Sequence, residues 1–114
     1  MYSNELVRGT LKTIVLKLLK EEGKMYGYEI TQRVKELTDG KIQITEGALY
    51  PTLHALEAEG IVVTETMHIG RRVRKYYKLT AEGRANAKRK LSEMADFLGT
   101  MRILFEGTPG PLHA

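Results

Sequence analysis

The sequence predicts a mainly α chain with a small β-hairpin and a long C-terminal helix. Three observations carry that expectation. Apolar residues recur at helical spacing in three blocks before Gly60; β-branched and alternating residues crowd positions 61–79; and Ala87, Leu91, Met94, Leu98, Met101 and Phe105 follow one another at steps of four, three, four, three and four. The length of 114 residues, 42% of them hydrophobic, suits one domain with one modest core.

Helix one is expected from Leu6, Val7, Leu11, Ile14, Val15, Leu18 and Leu19, with Ser3 or Asn4 as its cap and Gly23 as its stop. Tyr26, Ile30, Val34 and Leu37 form the stripe of a second helix that ends at Asp39-Gly40. Residues 41–44 alternate and read as a short strand. Thr45 caps helix three, whose stripe is Leu49, Leu53 and Leu56 and whose end is Gly60. Pro51 removes a hydrogen bond to Gly47, so the first turn is expected to be kinked, with a regular helix over 50–59. Residues 61–67 and 73–79 read as the arms of a hairpin turning at 68–71. Thr80 then caps a helix of about 25 residues, roughly 37 Å long. Three units are expected: 1–79, the compact body; 80–106, a dimerisation helix; and 107–114, a disordered tail. Three short helices, a hairpin and a terminal helix form the element order of a winged helix-turn-helix with a long C-terminal dimerisation helix.

Composition narrows the function. The longest apolar run, Ile14 to Leu19, is interrupted by Lys17, short of the roughly 18 residues of a membrane span. The first residues show no basic region leading into an apolar one, so a cytoplasmic, non-secreted protein without a membrane partner is expected. Cysteine is absent, which removes disulfides, thiolate metal sites and cysteine nucleophiles. His54, His68 and His113 are isolated and no glycine-rich phosphate loop follows a strand, so no enzyme, metal or cofactor is expected. Lysine and arginine number 18 against 14 acids, a mild excess whose placement matters more than its total.

Tyr26-Gly27-Tyr28-Glu29-Ile30, then Gly47-Ala48-Leu49-Tyr50-Pro51-Thr52-Leu53 with Leu56-Glu57 and Gly60-Ile61-Val62, then Arg72-Val73-Arg74-Lys75-Tyr76-Tyr77-Lys78-Leu79-Thr80 with Gly83, closely resemble the PadR family of transcriptional regulators. The single helix after the hairpin resembles its shorter subgroup; Val73 departs from a proline that many members carry. The resemblance implies a regulator that binds duplex DNA as a homodimer, with Tyr76 on the DNA backbone and Tyr77 packed inside.

The residues themselves say where such binding would sit. Opposite its buried stripe, helix three presents Gly47, Pro51, His54 and Ala58, flanked by Tyr50 and Ala55, and holds no lysine or arginine from Thr45 to Glu59. A small, uncharged face suits deep entry into the major groove, where Ala48, Pro51 or Ala55 meets thymine methyls and Tyr50, Thr52 and His54 offer hydrogen bonds to bases or phosphates; a helix used only for packing is the alternative. The wing supplies charge: Arg71, Arg72, Arg74, Lys75 and Lys78, with no acid between Gly70 and Lys78. Alternation puts Arg72, Arg74, Tyr76 and Lys78 on one face and Val73, Tyr77 and Leu79 on the other, with Lys75 at an edge or tip. Tyr26 and Tyr28 flank Gly27 where a helix start meets a phosphate, though Tyr26 suits the core equally well.

Ala87, Leu91, Met94, Leu98, Met101 and Phe105 form a seam for a second copy or, alternatively, a cover for helix one of the same chain. A dimer would read a two-fold, pseudo-palindromic operator, and repression is the expected outcome. Some members of the resembled family answer to a small-molecule effector at the dimer centre. The matching residues here are Leu11, Val15, Met94, Phe97, Leu98 and Met101, for which ordinary core packing is the competing account. The rival function is a winged helix used as a protein adaptor or for RNA.

Overall fold

The computed structural model describes residues 2–107 and contains four helices and three strands: α1 (Asn4–Glu22), β1 (Lys24–Tyr26), α2 (Gly27–Leu37), α3 (Glu46–Ala58), β2 (Val62–Ile69), β3 (Arg72–Leu79) and α4 (Ala81–Glu106). Apart from Gly107, the expected tail lies outside these residues. Ser3 caps α1 by accepting from the Leu6 amide, and the positive φ of Gly23 ends it. α1 runs through the centre, touching α3, α4, β1 and β3, so Leu16 is fully buried although the amphipathic stripe omits it. Leu6, in that stripe, is exposed.

The sheet is antiparallel in the order β1-β3-β2, one strand more than the expected hairpin. β1 is too short to show a period. It is a strand because its three residues pair with β3, in the register Lys24↔Lys78, Met25↔Tyr77 and Tyr26↔Tyr76. Residues 41–44, by contrast, make no strand. The Ile42 amide donates to the Thr38 hydroxyl at 3.0 Å, and Ile44 is buried in the core, so their alternation records anchoring rather than pairing. The hairpin turn is also tighter than expected: Ile69 pairs with Arg72 across Gly70-Arg71, with positive φ at Gly70 alone, as a type II′ turn requires.

α3 is regular from Glu46, where a kinked first turn was expected. The Thr45 side chain accepts from the Ala48 amide at 3.2 Å, and the Thr45 carbonyl holds the Leu49 amide at 3.0 Å. Pro51 removes only the bond to the Gly47 carbonyl, and Gly47 lies at the surface where water can replace it. The core gathers Leu11, Val15, Leu16, Leu19, Ile30, Val34, Leu49, Leu53, Leu56, Tyr77 and Ala87 among others. α4 begins inside that core, with Gly83 and Ala87 buried, and then leaves it; the molecule measures 66 × 31 × 20 Å. No helix of the described residues is long and apolar enough to cross a membrane.

Candidate nucleic-acid interface

Burying Leu49, Leu53 and Leu56 turns Gly47, Ala48, Pro51, His54, Ala55 and Ala58 outward, an exposed face of small or uncharged side chains. Thr45, also exposed, is engaged as the N-cap, and Glu46 beside it suits the positive end of the helix. Two members of the expected contact set are engaged within the chain. The Thr52 hydroxyl, at the surface, donates to the Ala48 carbonyl at 3.1 Å, satisfied within its own helix. Tyr50 is half-buried against the core; its ring lies across Gly27 so closely that no Cβ would fit there, and its centroid is 6.3 Å from that of His54.

Strand alternation divides the wing, with Tyr77 and Leu79 in the core and Arg72, Arg74, Tyr76 and Lys78 on the outer face, but Val73, expected with the packed residues, is 60% exposed near the hairpin tip, where no core lies beneath it. Tyr77 is 2% exposed, and its burial, with Glu57 nearby, raises its phenol pKa above the ordinary 10.0. Lys75 corrects the expectation of an edge or tip residue. It shares the inner face with Tyr77, its ammonium 5.6 Å from that ring and 4.0 Å from a Glu57 carboxylate oxygen on α3. Lys78 is likewise partnered, lying 3.8 Å from Glu65, which also meets Lys24 at 3.5 Å. Among the described residues Arg71, Arg72 and Arg74 have no carboxylate partner. Arg74 is held in place by an aromatic pair, its guanidinium 4.4 Å from the centre of Tyr26, which meets Tyr76 edge-on at 5.4 Å. Tyr26, half-buried at the start of α2, therefore belongs to the wing's outer face, while Tyr28 is exposed on the first turn of α2.

Two basic residues of another element border the exposed face of α3. Arg8 and Lys12 of α1 line shallow hollows together with Gly47 and Ala48, Arg8 in two of them and Lys12 in one. Their spacing shares one face of α1, but nothing in the sequence says that this face lies along α3.

The seam on α4 is divided. Ala87, expected at a dimer contact, is 0% exposed and fills this chain's own core, because α4 begins packed on α1. Leu91, Met94 and Met101 are half-buried, while Leu98 and Phe105 are 57% and 76% exposed. Of the expected effector residues, Leu11 and Val15 are 4% and 0% exposed and belong to the core, whereas Met94, Phe97 and Leu98 reach the surface. Among the described residues no three histidine or acidic side chains gather as a metal ion would need.

The model of the PadR-like family of transcriptional regulators matches residues 15–89. A transcriptional regulator of Mycobacterium tuberculosis is 38% identical over 77 residues, 65% of this chain and 69% of its own. A transcriptional regulator from Clostridium thermocellum superposes with a TM-score of 0.79 at 32% identity, covering 90% of this chain and 96% of that one. The PadR of Bacillus subtilis, solved in complex with operator DNA, gives 0.65 at 31% identity, over 72% of this chain and 47% of that one. The fold is therefore that of the winged-helix regulators, in a family of transcription regulators rather than enzymes. This chain belongs to the PadR-like family of transcriptional regulators.

Proposed function

We propose that the protein is a homodimeric, cytoplasmic repressor that binds duplex DNA, with α3 in the major groove and the wing on the phosphate backbone. The observation that carries this reading is the pairing of an exposed, uncharged α3 face with a wing whose Arg71, Arg72 and Arg74 are free of carboxylates among the described residues. Small side chains permit close approach to base edges, and the arginines provide the attraction that α3 lacks. The likeness to a PadR solved with operator DNA supports the same assignment. Repression needs nothing beyond occupancy of the operator.

Dimerisation is supported by the far end of α4, where Leu98, Ile103, Leu104 and Phe105 are exposed on a helix that has left the body. Beside its base runs an apolar groove lined by Ile14, Leu18, Leu37, Ile42, Leu91 and Met94, suited to the helix end of a second copy. Two recognition helices related by a two-fold axis would then read a pseudo-palindromic operator with half-sites about one DNA turn apart. Met94, Phe97 and Leu98 would border the join, and this is where a small apolar effector could be held to release the DNA.

Binding of a labelled duplex, measured by anisotropy across a salt series, tests the reading. The three free wing arginines of each subunit amount to about six phosphate contacts in a dimer, and so to a contribution of about −5 from the wings alone to the slope of log affinity against log salt. A slope near zero would overturn it. Competition among duplex DNA, structured RNA and a neutral protein surface separates the regulator from an adaptor or RNA binder.

A further inference from the structure

α3 carries no cation, yet by the reading above it enters a groove walled by phosphates. Two shallow hollows border its exposed face, one of about 340 Å³ against Asn4, Arg8 and Gln43, the other of about 390 Å³ against Arg8 and Lys12. Arg8, Leu11, Gly47 and Ala48 line both, so Arg8 stands where the hollows meet, beside the smallest residues of α3. Arg8 is exposed on α1, and among the described residues no carboxylate pairs with it. Lys12, one turn further along, is spoken for: its ammonium lies 3.0 Å from Glu59.

We infer that Arg8 is the phosphate contact of the recognition surface, a cation lent by α1 to a helix that has none, gripping the backbone at the lip of the groove that α3 enters. This rests on the reading of α3 as the DNA-facing helix. A phosphate rather than a base is assigned because Arg8 stands on the neighbouring helix, outside the face that would meet base edges. The guanidinium is always charged and suits two phosphate oxygens at once. α1 thereby joins the wing in the electrostatic part of binding, on the opposite side of α3 from the Glu57–Lys75 contact.

The test uses the intact protein, a duplex enriched from random sequence by the wild type, and an unrelated duplex. Arg8→Ala should weaken binding to both alike and flatten the salt slope by about 0.9 per subunit. Arg8→Lys should keep the slope, and Lys12→Ala should change it far less than Arg8→Ala. An unchanged slope in Arg8→Ala, or a changed sequence preference at constant slope, would overturn the assignment; the latter would make Arg8 a reader of bases. If the wild type itself bound no duplex in dilute buffer, the functional reading would fall and this inference with it. Thermal unfolding of each variant checks that the exposed substitutions leave the fold intact.

Discussion

Replacing Gly83 by alanine should destabilise the protein even though alanine is the better helix former. Gly83 is the third residue of α4 and is buried. A Cβ at this position would stand 1.9 Å from the Ile61 carbonyl oxygen and 2.9 Å from its carbon. That carbonyl has little freedom to retreat, since it accepts from the Thr80 amide at 3.1 Å and the Ile61 amide donates to Leu56 at 2.9 Å. Alanine gains about 1 kcal/mol of helix propensity. Overpacking costs about 1–3 kcal/mol, and a clash with backbone puts this site at the upper end, leaving a net loss of about 2 kcal/mol. For a chain of this size that lowers the Tm by roughly 8–16 °C. Gly99→Ala, in the same helix with nothing within 4 Å of its Cβ, should instead gain about 1 kcal/mol and raise the Tm. Thermal unfolding followed by circular dichroism, at one protein concentration so that association does not intrude, measures both. If Gly83→Ala stabilised the protein as Gly99→Ala does, the close approach of α4 to Ile61 would be refuted.

Thr80→Ala should cost about 1–2 kcal/mol in denaturant melts, because the hydroxyl accepts from the Gly83 amide at 2.9 Å and donates to the Gly60 carbonyl at 2.7 Å; Thr80→Ser should recover most of it. The Tyr77 phenol, its pKa raised by burial, contributes stability that is fully present below the ordinary 10.0 and is lost as pH rises through the higher folded value. Tyr77→Phe should therefore flatten the alkaline limb of a stability–pH curve, and an equally steep limb would rule this account out. Leu104→Asp, at a position 69% exposed in the single chain, should turn a dimer into a monomer in sedimentation while leaving the helical signal intact; a dimer that survives it would place the join elsewhere.

The helices were legible because each leaves a local mark. Thr45 and Thr80 are N-caps that the sequence announces, Ser3 is one of the two it offers for α1, and the Leu49, Leu53 and Leu56 stripe orients α3 without further information. The division of β3 into a basic outer face and a packed inner one follows from alternation alone. Strand β1 was not legible, since three residues carry no period and become a strand only against β3. Residues 41–44 misled for the converse reason: a loop that anchors Ile44 in a core alternates like a strand.

The sequence by itself determined the four helices and the hairpin in their order, the uncharged face of α3, the basic wing and membership of a regulator family, because these rest on periodicity, capping and residue types in contiguous motifs. Tertiary structure decided which charges are free. It spent Lys75 on Glu57, Lys78 on Glu65 and Lys12 on Glu59, stacked Arg74 on Tyr26, drew Ala87 into the core, and set Arg8 beside a helix nearly forty residues away. The physical reason is that an ion pair, a stack or a burial depends on distances between segments remote in the chain, and only folding sets those distances.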